Sequence, residues 1–236
     1  MSKSVKTIFN QAIVVTALTA STIAFAGESN PRDPYEGFNR TMFAVHEAVD
    51  NALTRPLARA YDAALPLPVK ASVGNFFSNV GDLWIGANNA LQGKVGNAGV
   101  DVGRLLINST VGIFGLFDVA TELGLEKHSE DFGQTLATWG YRDSAYVFLP
   151  VLGPRTVRDT AGVIVDMAVD PVRHTTPSGA RDSMTGVRLL DVRASLLPAD
   201  KVVEEATMDK YAYIRDAYLQ RRRSQIYDGN APRQDD

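Results

Sequence analysis

Residues 105–117 read LLINSTVGIFGLF, an apolar stretch without a single charged side chain. As a helix, these thirteen residues would extend roughly 20 Å at about 1.5 Å each, which is less than the ~30 Å hydrocarbon core of a bilayer. Gly112 and Gly115 would each weaken a buried helix by about 1 kcal/mol relative to alanine. The stretch is too short to span a membrane and too interrupted for an ordinary core helix. It therefore predicts a re-entrant or interfacial turn.

Two interpretations of this stretch remain open from the residues alone. Its bulky side chains either contact a membrane or line a passage, or they fill a buried turn between two core helices, since apolar turns in cores are common. Trp84 and Trp139 leave a similar choice, because an indole ring suits a bilayer interface as well as a protein core. The candidate residues for lipid passage or membrane contact are Trp84, Ile113, Phe114, Leu116 and Phe117.

The first 26 residues have the features of a secretory signal peptide. Lys3 and Lys6 supply positive charge, residues 13–23 are largely apolar, and Ala24-Phe25-Ala26 forms a small-residue cleavage site. An uncleaved anchor is the alternative, but threonine and serine dilute the apolar stretch. We expect cleavage after Ala26, which removes 26 of the 236 residues and two lysines and changes the formal net charge from −3 to −5. The mature chain is long enough for one domain with a substantial core.

Composition and missing motifs exclude several classes of function. The mildly acidic mature chain argues against nucleic acid as a partner. The chain contains no cysteine, which excludes disulfides and thiolate metal sites within it. Its three histidines lack further ligands at helical spacing, except Asp50 for His46. We therefore expect no metal and no cofactor.

The sequence also offers no catalytic signature. A Gly-x-Ser-x-Gly motif and a phosphate-binding loop are both missing from it. Ser129 follows His128 directly, and adjacent residues on a helix do not face each other. We therefore expect no catalytic residues and a protein that is not an enzyme.

Apolar residues recur at helical spacing along most of the chain, which predicts an all-α fold. The predicted architecture is a single helical domain over residues 27–228, followed by a polar tail at 229–236 that has no means of burying itself. Asp33-Pro34-Tyr35-Glu36 predicts a helix start with Asp33 as the N-cap. Gly93, Gly96 and Gly99 are expected to break the chain before a helix that ends near Ile107.

Four further local expectations concern the second half of the chain. Ser129 is expected to cap a short helix that ends at Trp139. Residues 146–149 are the only strand-like run, and we expect an isolated extended segment because a lone strand has nothing to pair with. The last helix runs from Asp209 to about Ser224, with Tyr211, Ile214 and Tyr218 in the core and the two tyrosine hydroxyls at its edge. Residues 221–223, three arginines, either contact lipid headgroups or complement the helix dipole.

Several motifs occur in an order that is specific to one protein family. The residues that carry the resemblance are Asp33, Pro34, Glu36, Gly37, Phe38, Asn39, Arg40, Arg104, Asn108, Gly112, Asp118, Phe132, Gly133, Pro150, Gly153, Arg158 and Asp159. Tyr211, Arg215, Asp216, Ala217 and Tyr218 complete the series near the C-terminus. Together they resemble the MlaA (VacJ) family of outer-membrane phospholipid-transport lipoproteins, from Asp33 to about Arg223.

The resemblance implies a ring of amphipathic helices embedded in the outer membrane on its periplasmic side, with an amphipathic channel through the middle. It also implies that the protein removes phospholipid from the outer leaflet and passes it to a soluble periplasmic carrier, which maintains lipid asymmetry. An outer-membrane porin trimer is the implied partner in the membrane. The alternatives are a soluble periplasmic interaction protein and an envelope lipid hydrolase.

One departure from the family concerns the anchor. Members usually carry a lipobox cysteine at the mature N-terminus, whereas residues 24–28 here read AFAGE. A single acyl chain gives only marginal membrane binding in any case. We therefore expect attachment through the helices rather than through a cysteine-linked lipid.

Overall fold

The computed structural model describes residues 31–232, so the predicted signal peptide (1–26) and the end of the predicted tail (233–236) lie outside the described residues. The helices are α1 (Glu36–Val49), α2 (Arg55–Ala64), α3 (Leu67–Leu91), α4 (Val95–Thr110), α5 (Val119–Glu122), α6 (Phe132–Thr138), α7 (Val157–Val169), α8 (Ser178–Ser195), α9 (Leu197–Ala206) and α10 (Lys210–Ile226). A π-helical turn (Asp50–Thr54) joins α1 to α2, and a 3₁₀ turn (Pro171–His174) follows α7. The all-α prediction is confirmed.

The helices contact one another in a closed circuit. Neighbouring contacts run from α3 to α6, α10, α9, α2 and α8, and from α8 back to α3. The α4 helix packs antiparallel on α3 after a tight turn at residues 92–94, in which Gly93 has a φ of +80°. The elements therefore form a ring-like bundle, with the α3–α4 hairpin as its largest helical pair.

The start of α1 differs from the prediction. The helix begins at Glu36 after Tyr35, and the Asp33 side chain does not cap it. The Asp33 carboxylate instead accepts hydrogen bonds from Asn39 Nδ2 (2.7 Å) and from the Tyr211 hydroxyl. The capping prediction is wrong because these buried donors bind the carboxylate in place of the helix N–H groups.

Two other predicted helix boundaries are also wrong. The α4 helix begins at Val95 and continues through Gly96 and Gly99, because its packing against α3 outweighs the weak helix propensity of glycine. The cap of α6 is Asp131, whose Oδ1 accepts a hydrogen bond from the Gln134 backbone N–H (2.9 Å).

The strand-like run is not isolated. Strand β1 (Tyr146–Leu149) pairs antiparallel with β2 (Gly153–Thr156), with Tyr146 opposite Thr156. The sequence of β2, GPRT, has little strand character, which is why its role was not predicted. Asn39 of α1 covers the other side of β1, because its side chain accepts from the Phe148 N–H (2.8 Å) and donates to the Tyr146 carbonyl (3.2 Å).

The distribution of polar and apolar side chains is inverted relative to a water-soluble domain. Among the described residues, charged and amide side chains predominate in the buried set, while many large apolar side chains are exposed. In α4, for example, Asp101, Arg104 and Asn108 are buried, while Val102 and Leu106 are exposed. Water-soluble domains show the opposite preference. Within residues 31–232, no helix combines the length and apolar character needed to cross a membrane.

Candidate functional site

A tight backbone turn follows α4, and we call residues 112–117 the elbow. Ile113, Phe114 and Gly115 have φ angles of +51°, +56° and +82°. Only glycine adopts such angles readily, and a β-branched isoleucine there is a genuine outlier. Ile113 and Phe114 each cost about 1–3 kcal/mol in this conformation, which persists only because its surroundings enforce it.

The two glycines of the elbow are required by close packing. A Cβ atom at Gly112 would lie 2.5 Å from the Asn108 carbonyl oxygen and would overlap the Phe117 carbonyl oxygen. A Cβ atom at Gly115 would lie 2.6 Å from Nδ2 of Asn79. The glycines thus let the chain fold back against both α4 and α3.

The apolar side chains of the elbow point away from the protein. Phe114 is 77% exposed and Ile113 is 54% exposed. Phe117 and Leu116 are exposed as well, together with the preceding Val111. The alternative of a buried turn between core helices therefore does not describe this segment.

A buried arginine holds the end of the elbow. Arg104, only 1% exposed, donates to both carboxylate oxygens of Asp118 (2.9 and 3.0 Å) and to the Leu125 carbonyl (2.6 Å). Asn108 Nδ2 donates to the same Asp118 carboxylate (2.9 Å). Burial alone would raise the pKa of Asp118, but hydrogen bonds from Thr121, Asn108 and Arg104 outweigh it and lower the pKa to about 2. Three of the family-motif residues therefore form one anchor.

Polar residues beneath the elbow were not predicted from the sequence. Asn75 Nδ2 donates to the Leu116 carbonyl (3.2 Å), and Asn79 Nδ2 donates to Ser109 Oγ (3.0 Å). Asp82 accepts a hydrogen bond from Lys127 and lies 3.7 Å from Arg104 Nε. Asn79, Asp82 and Asn89 recur at helical spacing on α3, so the spacing of its polar residues was the signal that could have revealed this face.

A second buried network joins α7 to α10. Asp159 accepts hydrogen bonds from Arg158 Nη2 (2.8 Å), Arg222 Nη2 (2.7 Å) and the Tyr218 hydroxyl (2.6 Å). Arg222 also binds Asp131, at 2.6 Å to each oxygen. The sequence predicted that the three arginines at 221–223 either contact lipid headgroups or complement the helix dipole. Both predictions are wrong for Arg222, because it is buried between the carboxylates of Asp131 and Asp159. The Tyr211 hydroxyl is buried against Asp33, so the prediction that it lies at the edge of the core is wrong, whereas Tyr218 is half-buried.

This network predicts a pH dependence of stability. Burial raises the pKa of Asp159, but the Arg222 ion pair and the donors around it prevail and lower it to about 2. A depressed folded-state pKa stabilises the fold above the unfolded-state pKa near 4, and this contribution is lost as the pH falls from about 4 to about 2. We expect Asp159 to account for about 2 kcal/mol of the unfolding free energy lost over that range.

Guanidinium unfolding of the detergent-solubilised protein between pH 2 and 6 measures this contribution. Asp159→Asn should be less stable than the parent above pH 4 and should lose less stability on acidification. The exposed Asp182 provides the control, because Asp182→Asn should follow the parent curve. Parallel curves for the parent and Asp159→Asn would contradict the assignment.

The two tryptophans have different environments, and neither joins the elbow contacts described above. Trp84 is half-buried, donates from Nε1 to Asp166 Oδ1 (2.7 Å) and stacks on Phe132, with ring centroids 6.4 Å apart. Trp139 is exposed and donates to the Leu91 carbonyl (3.0 Å), near the turn of the α3–α4 hairpin. Trp84 is therefore better described as part of the protein interior than as a residue at the bilayer interface.

The remaining motif residues lie outside the elbow. Glu36 and the exposed Arg40 form the ion pair expected from their spacing (2.8 Å), and Pro150 and Gly153 flank the hairpin turn. Gly133 lies against Arg222 and Asp159, where a Cβ atom would be 2.5 Å from each side chain. Within the described part of the chain, no cluster of three or more histidine, aspartate or glutamate side chains is arranged to hold a metal ion.

Comparisons with known proteins agree with this geometry. A family model described as MlaA lipoprotein matches residues 31–225. The intermembrane phospholipid transport system lipoprotein MlaA of Escherichia coli (strain K12) is 30% identical over 216 residues, covering 89% of this chain and 84% of that protein. The protein of the same name from Shigella flexneri is 31% identical over 217 residues, with the same coverage of 89% and 84%.

An uncharacterized protein of Rickettsia typhi is 35% identical over 195 residues, or 82% of this chain and 78% of that protein. A solved structure, described as the structural basis for maintenance of bacterial outer membrane lipid asymmetry, matches with a TM-score of 0.71 and 31% identity. It covers 84% of this chain and 99% of the solved chain. The order of the motifs, the ring-like fold and these matches agree, and this chain therefore belongs to the MlaA lipoprotein family.

Proposed function

We propose that this protein carries out intermembrane phospholipid transport as a non-enzymatic component of the outer membrane. It removes phospholipids from the outer leaflet and passes them to a soluble periplasmic carrier, which maintains lipid asymmetry. The observation that carries the proposal is the inverted side-chain distribution, with charged and amide groups buried within the protein and many large apolar groups exposed on its surface. The relatives named as phospholipid transport lipoproteins support the same substrate class.

The physical basis of transport is the match between this ring and a phospholipid. A zwitterionic or anionic headgroup is costly to move through hydrocarbon, because an unpaired polar group loses its hydrogen bonds there. Polar groups inside the ring replace those bonds while the acyl chains stay near apolar surfaces. Directionality comes from the downstream carrier, because the sequence contains no nucleotide-binding loop.

The proposed location is the outer membrane, reached from the periplasmic side after export. The 236 residues contain no cysteine to which a thioether-linked lipid could be attached. We propose that the exposed apolar side chains of the ring contribute to the attachment. A porin trimer in the membrane and a soluble carrier in the periplasm are the proposed partners, in keeping with relatives named as members of a transport system.

Deletion of the gene is expected to raise the amount of phospholipid in the outer leaflet. The physical reason is that misplaced lipids are no longer removed, so the cells become sensitive to detergent in the presence of a chelator. Labelling of surface-exposed amine headgroups with a membrane-impermeant reagent measures the change, and the wild-type gene should reverse it. Unchanged labelling in a strain without a paralogue would contradict the proposal.

The two alternatives are separated by further measurements. A hydrolase would release fatty acid from phospholipid, and Ser129→Ala would abolish that release. Under the transport proposal, the Ser129→Ala gene restores asymmetry fully, because the hydroxyl takes no part. A soluble interaction protein would leave the membrane in a high-salt or carbonate wash, whereas the proposed protein requires detergent.

A further inference from the structure

The outer surface of the α3–α4 hairpin and the elbow carries almost no charge. Within residues 67–117, the charged side chains are Lys70, Asp82, Lys94, Asp101 and Arg104, and Lys70, near the start of α3, forms an ion pair with Asp62 (2.5 Å). Three of them are buried, and Lys94 lies in the turn between the two helices. The large exposed side chains of this surface are Leu83, Leu91, Val95, Val102, Leu106, Val111, Ile113, Phe114, Leu116 and Phe117. A surface with so little charge is complementary to hydrocarbon.

Most backbone N–H groups of the elbow are hydrogen-bonded within the protein, as a non-aqueous environment requires. A surface turn in water leaves its N–H groups to the solvent, whereas at membrane depth non-helical backbone is tolerated only where it is buried in protein or lines a water-filled cavity. Gly112 and Gly115 of the elbow are buried. The donor–acceptor pairs are Phe114 N to Ser109 O (3.1 Å), Gly115 N to Asn108 O (2.7 Å), Leu116 N to Ile113 O (3.2 Å) and Phe117 N to Gly112 O (2.9 Å). Asn75 Nδ2 in addition covers the Leu116 carbonyl.

The strained residues of the elbow are also the residues that project outward. Ile113 and Phe114 combine positive φ angles with exposed apolar side chains. In water, both features are unfavourable, because the strain and the exposed apolar area each cost free energy. Hydrocarbon around the side chains removes the cost of exposing apolar area to water. The Arg104–Asp118 pair holds the backbone in its strained conformation. Outward projection is therefore favourable only if an apolar medium covers the elbow.

The other end of the hairpin is suited to the boundary with water. Lys94 forms ion pairs with Glu130 (3.2 Å) and Asp228 (2.5 Å), and the exposed indole of Trp139 lies beside Leu91. Lysine and tryptophan are typical of the membrane–water interface. From this end, the 16 residues of α4 extend roughly 24 Å toward the elbow. That distance lies within the ~30 Å hydrocarbon thickness.

We propose that the elbow is inserted into the hydrocarbon of the membrane, where Ile113, Phe114 and Phe117 contact phospholipid acyl chains and hold the ring in the bilayer. This inference rests on the proposed function, because it requires a protein that resides in a membrane. It assigns the elbow to acyl-chain contact rather than to the lining of the polar passage. A protein partner or a second copy of the chain fits less well, since the surface offers little charge to select one.

The absence of cysteine from the sequence permits a direct test. Phe114→Cys introduces a single thiol that can carry a fluorophore sensitive to polarity, in the full-length protein reconstituted into phospholipid vesicles. Leu106→Cys, on the regular helix α4, serves as a second probe that does not disturb the elbow. Tyr213→Cys, exposed on the charged helix α10, is the matched control.

At positions 114 and 106, we expect blue-shifted emission and the loss of more than half of the fluorescence to lipids that carry a quencher on the acyl chain. At position 213, aqueous iodide should quench instead. Quenching at position 114 by iodide would overturn the proposal. Shielding of position 114 from both quenchers would overturn it too, because a protein segment would then cover the elbow.

The holding role is tested by the double variant Phe114→Ser, Phe117→Ser. A carbonate wash should release more of this variant from vesicles than of the parent or of Leu189→Ser, Val192→Ser, which alters two exposed apolar side chains of α8 outside the elbow. Equal retention of all three proteins would overturn the role. Phospholipid transfer by the wild-type protein is measured separately. If the elbow lies outside the bilayer and transfer is intact, only this inference is refuted. If the elbow is inserted and no transfer occurs, only the proposed function is refuted.

Discussion

Replacement of Arg104 by methionine is expected to lower the unfolding free energy by about 3 kcal/mol, because the partly buried Asp118 and the buried Asp82 each lose a cationic partner. The change removes every hydrogen bond that Arg104 makes with Asp118, Thr121 and the Leu125 carbonyl. Asp82, 3.7 Å from the guanidinium, also loses its second cation. Guanidinium unfolding in detergent, followed by circular dichroism, measures the loss.

The exposed Arg181 provides a matched control for this prediction. Arg181→Met removes a pair with the exposed Asp182 (3.0 Å) and should change stability by no more than about 1 kcal/mol. Arg104→Lys keeps the charge but loses the two-pronged contact with Asp118, so its stability should lie between those of the parent and Arg104→Met. Equal stability of Arg104→Met and Arg181→Met would contradict the role assigned to the anchor.

The second large effect is expected from Gly112→Ala. The new methyl group meets backbone oxygens of Asn108 and Phe117 rather than a flexible side chain, so the turn must open to accommodate it. Overpacking usually costs about 1–3 kcal/mol, and we expect the upper end of that range because neither carbonyl can move independently. Phospholipid transfer should fall as well, because the elbow loses its shape.

Gly99→Ala is the control for this change. Gly99 lies on the exposed side of α4, and a Cβ atom there meets nothing within 4 Å. Alanine should therefore leave the fold intact and raise stability by up to about 1 kcal/mol, through helix propensity alone. A Gly112→Ala protein as stable as the Gly99→Ala protein would show that the elbow tolerates a side chain.

Local chemistry made much of the fold predictable. Apolar spacing predicted the helices, and two glycines within a short uncharged run predicted the elbow, because both signals depend only on residues close together in the chain. The same local rules failed at Asp33 and Ser129. The first was assigned as a helix cap, yet its carboxylate is bound by Tyr211 from the far end of the chain. The second lost its predicted capping role to Asp131.

The sequence by itself determined the all-α class, the short interrupted segment and the lack of any thiol chemistry, since these follow from composition and from neighbours along the chain. Only the tertiary structure decided which face of each helix points inward. An amphipathic helix has the same periodicity whether its apolar side faces a core or a bilayer. Likewise, the pairing of Asp159 with Arg222 joins residues 63 positions apart, and no local pattern specifies which opposite charges the folded chain brings together.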